Sequence, residues 1–402
     1  MNLTIVSPFP PAITGIGQYG YHIVRGLAQS GRFASITVLA GRQPGQQGLP
    51  PDIPLSPSVK VDYAWQSDHL DAGPAILSAL RRLKPDLVWY NLGNSVFGRS
   101  PLANLSGFWS LGQVKRAGIP VAVTLHEMAE LADLKTLGAP GGPLARLGAR
   151  LFTHLSTQAD VVCFTMRRYM EWLSVRKPDQ KSVYIPLGTY QEPERLPESE
   201  IPELLFFNTL APYKGLEVLL AAYRLLLPRN PALRLTIAGA EHPRFPGYSQ
   251  SLQRQYSGLP GIQWLGQVPE NSLRELFSRA QIVALPYTAS TGSSSVLYRA
   301  AMWGRAMVAS DLPETQSVAA ERGLKVEFFS NRDAAGLARA IQVLLDAPDV
   351  RRAQAYHNYA AIQRGPLEET CYLYLQAFNQ ALALQHKPER IDIPAVIPVE
   401  SP

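Results

Sequence analysis

The chain has 402 residues, 46% hydrophobic and 17% charged, a balance that excludes a disordered or fibrous protein and by length favours two domains. Its 34 prolines follow no repeat period, and its two cysteines, Cys163 and Cys371, are too few and too distant for a disulfide framework or a zinc site. The net charge of +6 lies wholly in the first half: residues 1–195 hold 19 Lys and Arg against 13 Asp and Glu, whereas residues 196–402 hold 19 of each. A mildly basic, solvated surface accounts for that asymmetry slightly better than a site for anionic lipid or polymer. The basic residues are dispersed without aromatic interleaving, which argues against nucleic acid.

Met1-Asn2-Leu3-Thr4-Ile5-Val6 reads as a buried strand, without the charged start and apolar run of a signal peptide. No window approaches the roughly 18 consecutive apolar residues of a spanning helix, so a cytoplasmic protein is expected, with peripheral contact at the inner membrane face left open. Apolar runs at 3–7, 35–39, 86–90, 120–124, 160–164 and 182–185 alternate with amphipathic stretches at 20–30, 75–83 and 102–117. This alternation predicts a parallel sheet covered on both faces. The polar, proline-bearing segment Gln191-Glu192-Pro193-Glu194-Arg195-Leu196-Pro197-Glu198 reads as a linker. The pattern then restarts: strands at 203–207, 234–238, 263–265, 281–286 and 306–310, and helices at 216–227, 271–279, from 295, and at 333–345. The expected division is a first Rossmann-like domain at 1–195, a second at 196–372, a helix at 373–386 returning to the first, and a proline-rich loose tail at 387–402. Open parallel sheets bind ligands beyond the carboxyl ends of their strands, so the loops there are the first places to search.

The first such loop, Thr14-Gly15-Ile16-Gly17-Gln18-Tyr19-Gly20, imitates a dinucleotide fingerprint. Pro8, Pro10 and Pro11 make it too long for that tight turn, and Ala40-Gly41-Arg42 lacks the acidic ribose ligand. What remains is a glycine loop feeding a helix N-terminus, fit either to approach an anionic group or simply to turn. Thr124-Leu125-His126-Glu127-Met128-Ala129-Glu130 resembles a zincin helix but lacks the second histidine, so no metal is expected, and His126 is evenly balanced between structure and function. In Asn208-Thr209-Leu210-Ala211-Pro212-Tyr213-Lys214-Gly215, Lys214 precedes a helix and is suited to a phosphate. Thr291-Gly292-Ser293-Ser294-Ser295 lies between a strand and a helix, where amides and hydroxyls form an anion cradle more readily than an ordinary cap would require. The leucines at 144, 147, 151 and 155, beside Arg146 and Arg150, form one helical stripe. A core-packed crossover helix accounts for it better than a lipid-surface helix.

Taken together, these residues resemble the family 4 glycosyltransferases, retaining sugar-nucleotide-dependent enzymes with two Rossmann-like doubly wound domains facing across a cleft, the GT-B architecture. The resemblance runs over about residues 1–385 and rests on Gly15 and Gly17, His126, Asn208-x5-Lys214-Gly215, Ile237-Ala238-Gly239-Ala240, Gln263-Trp264-Leu265-Gly266-Gln267-Val268, and the stretch from Thr291 through Gly304-Arg305-Ala306-Met307-Val308-Ala309-Ser310. It implies that Gly15 and Gly17 line the cleft near donor or acceptor and that His126 sits by the transferred sugar. It also implies that Lys214 neutralises the diphosphate, Gly239 leaves room for the nucleotide, Val268 contacts the base through its backbone, and the amides of Gly292 to Ser295, with Ser293 and Ser294 between, face diphosphate and sugar. Two departures stand out. Asn208 occupies the place of a family arginine, and the family's two glutamates, eight positions apart, fall on Thr291 and Arg299. A donor-only guanidinium reverses the hydrogen-bonding logic of a ribose-binding carboxylate, and Arg299 is expected to carry the missing positive charge to the diphosphate.

The resemblance implies hexosyl transfer with retention from a UDP- or GDP-sugar co-substrate, without metal, to a glycan, lipid-linked or small-molecule acceptor. A weak membrane-surface contact through the first half is left open. Two alternatives stand beside it: a GT-B-shaped binding or scaffold protein without catalysis, and another enzyme of this architecture such as a sugar-nucleotide epimerase or a phosphorylase.

Overall fold

The computed structural model describes residues 1–11, 14–42, 54–133, 135–137, 142–363 and 366–393. The chain divides into two compact units: Met1–Leu131 with Gly141–Tyr190 and Gly365–Pro402, and Ala132–Pro140 with Gln191–Arg364.

In the first unit the strands are β1 (Asn2–Val6), β2 (Ser35–Arg42), β3 (Val59–Gln66), β4 (Leu87–Leu92), β5 (Val121–Leu125), β6 (Val161–Phe164) and β7 (Ser182–Tyr184). The helices are α1 (Gly15–Gln29), α2 (Ala72–Leu83), α3 (Pro101–Arg116), α4 (Pro143–Ser156) and α5 (Arg167–Arg176). The sheet is parallel throughout, in the order β3-β2-β1-β4-β5-β6-β7. Every residue of β4 and β5 is buried, as an apolar run covered on two faces requires. Strand order reverses between β1 and β4, where Ile5 pairs with Val38 on one side and Trp89 on the other.

The second unit repeats the plan with β8 (Glu203–Phe207), β9 (Arg234–Ala238), β10 (Ile262–Gly266), β11 (Ile282–Leu285), β12 (Ala306–Ser310) and β13 (Glu327–Phe329). Its helices are α6 (Leu216–Leu226), α7 (Tyr248–Gln255), α8 (Leu273–Arg279), α9 (Ser295–Met302), α10 (Pro313–Glu321), α11 (Ala334–Asp346) and α12 (Pro348–Ile362). The parallel order β10-β9-β8-β11-β12-β13 reverses between β8 and β11. Leu216, Leu219, Leu220 and Tyr223 of α6 and Leu337, Ile341 and Leu344 of α11 bury against Leu235, Ile282 and Val308 of the sheet. The two doubly wound parallel sheets expected from the strand–helix alternation are thus both present.

The last helix, α13 (Leu367–Leu384), belongs to the first unit. Its Tyr374 hydroxyl lies 2.8 Å from both Tyr19 Oη and Thr124 Oγ1, and Trp89 Nε1 donates to the same threonine at 2.9 Å. Of the proline-rich tail, residues 394–402 lie outside the described residues. Ile391 is buried and exchanges two backbone hydrogen bonds with the Asn379 side chain.

Three sequence expectations need correction. Helix α1 starts at Gly15 rather than residue 20, because Thr14 caps it by accepting the Gly17 amide at 2.9 Å. Strand β3, outside the apolar runs named above, is a half-buried edge strand whose alternation is diluted by Lys60 and Asp62. The leucine stripe of α4 is not core-packed: Ala149, Thr153 and Ser156 face the unit, while Leu144, Leu147 and Leu151 face solvent.

Arg305 ties the linker to the second unit. Its buried guanidinium donates to the carbonyls of Trp303, Ala280 and Pro197 at 3.1, 2.9 and 3.0 Å, and to that of Leu196. Burial lowers its pKa to about 10, which still leaves it charged at neutral pH. Replacing it with methionine strands these carbonyls, and we expect a loss of roughly 3 kcal/mol and roughly 10 °C in melting temperature by calorimetry. A shift under about 2 °C would show that water takes over the carbonyls.

Candidate functional site

In the second unit the candidate residues gather at the carboxyl ends of β8, β9, β10 and β11, beside the strand-order reversal. Asn208 follows β8, and its Nδ2 donates to the hydroxyl of Tyr287 beyond β11. That hydroxyl also lies 2.9 Å from Ser294 Oγ, the residue before α9. Tyr287 is buried, and burial pushes its phenol up to about 12, so it remains a neutral hydrogen-bonding group. The Lys214 amine sits 4.3 Å from the Tyr287 ring centroid and 5.5 Å from that of Tyr213, a position that stabilises a cation between two aromatic faces.

Two glycines permit this convergence. Gly215 has φ +70, and a Cβ there would lie 1.8 Å from the Pro286 carbonyl oxygen. Gly239, with φ +140, would place a Cβ 1.6 Å from the Asn208 carbonyl oxygen. The glycine requirement at 239 therefore comes from two backbones crossing, with the Gly239 amide donating to Gly266 at 2.6 Å. Val268 follows two residues later on the same loop, half-buried.

Thr291, Gly292, Ser293 and Ser294 lead into α9, which begins at Ser295. All five are half-buried, and Ser290 Oγ donates to the Gly292 carbonyl at 3.1 Å. The first turn of α9 directs amide N–H groups and the positive end of its dipole into this loop region. On the same helix Arg299 donates through both terminal nitrogens to Glu270, at 2.6 and 3.1 Å, with the Phe207 ring 6.0 Å beneath. Arg299 therefore holds a carboxylate carried by the loop just after Val268. The sequence reading missed Glu270 and Tyr287. Tyr287 adjoins the hydroxyl-rich segment and was within reach of inspection, whereas Glu270 is one surface glutamate among many until the fold supplies its partner.

The first unit has its own cluster at the ends of β1, β4 and β5. His126 is buried, its Nε2 is 2.7 Å from Asn91 Oδ1, and the Tyr19 ring meets it edge-on at 4.8 Å. Asn91 Nδ2 donates to Ser7 Oγ and to the Ile16 carbonyl, at 2.9 and 3.1 Å, which turns its oxygen to the histidine and puts the ring proton on Nε2. Gly15 has open space around it, and Gly17 is buried within the first turn of α1. Asn91 was missed as well, although a polar residue inside Leu87-Val88-Trp89-Tyr90-Asn91-Leu92 is a visible anomaly.

Burial pushes the His126 imidazole down to about 3 from 6.5. The unfolded chain therefore takes up this proton near pH 6.5 while the native state does not until about pH 3, so the stabilisation is complete above 6.5 and falls as pH drops through that window. From pH 6.5 to 5 the protein should lose about 2 kcal/mol through this group in urea unfolding. His126→Gln should flatten that slope, and an unchanged slope would place the titration elsewhere.

Among the described residues no three His, Cys, Asp or Glu side chains form a group able to hold a metal ion, and no helix is long and apolar enough to cross a membrane.

Two Rossmann-like units with residues gathered beyond their strand ends define the GT-B class of fold. Solved structures share it: sucrose-phosphate synthase from Thermosynechococcus elongatus has a TM-score of 0.74 at 17% identity, covering 95% of this chain and 99% of that one. The Anabaena protein HepE in complex with UDP and glucose has a TM-score of 0.68 at 16% identity, over 94% and 98%. Residues 14–188 match the model of the glycosyl transferase 4-like domain, and residues 201–347 that of glycosyl transferases group 1. The chain belongs to this glycosyltransferase family. A phosphatidyl-myo-inositol mannosyltransferase of Mycolicibacterium smegmatis is 31% identical over 141 residues, 35% of each chain. An uncharacterised Bacillus subtilis glycosyltransferase is 26% identical over 176 residues, 43% of this chain and 47% of that one. These matches span about a third to a half of the two relatives' length.

Proposed function

We propose that the protein transfers a hexose-type sugar from a UDP- or GDP-sugar to an acceptor hydroxyl with retention of anomeric configuration, the donor held by the second unit and the acceptor by the first. The observation that carries this reading is the convergence of the Lys214 amine, the Ser293 to Ser295 segment and the start of α9 around Tyr287. In transfer, the bond from the anomeric carbon to a diphosphate oxygen breaks and the acceptor oxygen bonds to the same face. The acceptor proton passes to the leaving diphosphate. The charge that develops there needs fixed donors in place beforehand, and Lys214 with the α9 amides supplies them in this reading. A neutral His126 beside the sugar leaves a cationic transition state unopposed. Gly239 and Val268 border the base, Thr291 and Gly292 the sugar, and Gly15 and Gly17 border the donor or acceptor from the first unit. Arg299 acts here as a positioning residue, fixing Glu270 and the loop that carries Val268. The acceptor class stays among glycan, lipid-linked and small-molecule hydroxyls.

A thermal-shift panel of UDP, GDP, ADP and their sugars tests the donor site. At a hundredfold excess over Kd one base should add about 2.7 kcal/mol to stability. No shift with any nucleotide would overturn the reading. Binding without turnover in the presence of varied acceptors would turn it to a non-catalytic sugar-nucleotide binder.

A further inference from the structure

Helix α4 packs on α3 through one face and leaves three leucines on the other. Its packed face is Ala149, Thr153 and Ser156, with the Phe152 ring edge-on to Phe108 of α3, whereas Leu144, Leu147 and Leu151 lie on the other side. At about 100° per residue, Leu144, Leu147 and Leu151 point roughly 180° away from that face. Their exposures are 84%, 63% and 43%. Arg146, Arg150 and His154 are exposed along one flank, and the helix carries no acidic residue. Leaving three leucines in water costs stability that the fold gains nothing by, unless the face meets something apolar.

The geometry points to α4 as a docking surface for an anionic lipid bilayer, the leucines entering the acyl boundary and the arginines meeting the headgroups. Charge decides between occupants. A protein interface excludes charge from its apolar centre, and three leucine side chains fall well short of the roughly 800 Å² per partner that a stable dimer buries. A helix with an apolar stripe flanked only by basic residues matches a lipid surface, and the +6 excess of residues 1–195 attracts the same charge. The inference is independent of the proposed donor chemistry.

The test is flotation of the full chain with vesicles of phosphatidylcholine alone or mixed with phosphatidylglycerol. Binding should require phosphatidylglycerol and weaken as salt rises. The double substitution Arg146→Gln and Arg150→Gln should weaken binding roughly 30-fold. Leu144→Ser, Leu147→Ser and Leu151→Ser together should abolish it, with an unchanged melting temperature and an unchanged nucleotide thermal shift. Leu225→Ser, at an exposed leucine of the second unit, should bind vesicles as the parent does. Equal binding to neutral vesicles, no binding to anionic ones, or a dimer in light scattering that the leucine substitutions dissolve would each overturn the assignment.

Discussion

Lys214→Ala is expected to lower sugar-nucleotide turnover by about two to three orders of magnitude, with nucleotide affinity falling as well. Among the residues bordering Tyr287, Lys214 brings the cation, because Asn208, which stands where an arginine was anticipated, is neutral and donates to the phenol. Arg299 engages Glu270 through both its terminal nitrogens. The Tyr213 and Tyr287 rings hold the amine at 5.5 and 4.3 Å, so in the proposed transfer it would meet the leaving group already oriented, and the alanine variant would lose that preorganisation along with the charge. The fold should tolerate the change, because the cation–ring contact contributes only about 0.5–1 kcal/mol at a half-exposed position. Steady-state kinetics with saturating donor and a melting curve on the same preparation check both halves. A loss under about tenfold would remove Lys214 from the charge-stabilising role.

Gly239→Ala should disable the second unit's site by a different route. The added methyl would sit 1.6 Å from the Asn208 carbonyl oxygen at a φ of +140, so either the loop after β8 or the loop after β9 must retreat. We expect a destabilisation of about 3 kcal/mol, and nucleotide binding lost even at temperatures where the protein stays folded. Gly15→Ala is the stability control: it opens α1 with nothing near its missing Cβ, and its stability should change by less than about 0.5 kcal/mol. Equal melting temperatures for the two variants would contradict the steric argument.

Much of the site's composition was legible before any coordinates, because strands announce themselves through buried apolar runs and ligand loops follow strands. The runs at 203–207, 234–238 and 306–310 coincide with β8, β9 and β12 residue for residue. Lys214, the Thr291 to Ser295 segment and His126 were found simply by reading what comes next. Helix α10, with Glu314 and Thr315 buried beside polar Gln316 and Ser317, gave no apolar period to detect.

The chain's local chemistry by itself determined the strand–helix alternation, the family and the loops worth searching, since those follow from neighbours within a few residues. Only the tertiary structure decided that Asn208 and Tyr287, 79 residues apart, share a hydrogen bond, and that Arg299 answers Glu270. It alone turned the leucines of α4 outward. Periodicity shows that a helix has two faces, but which face packs inward depends on contacts between segments distant in sequence, here with α3, where Ala149, Thr153 and Ser156 are buried and Phe152 meets Phe108.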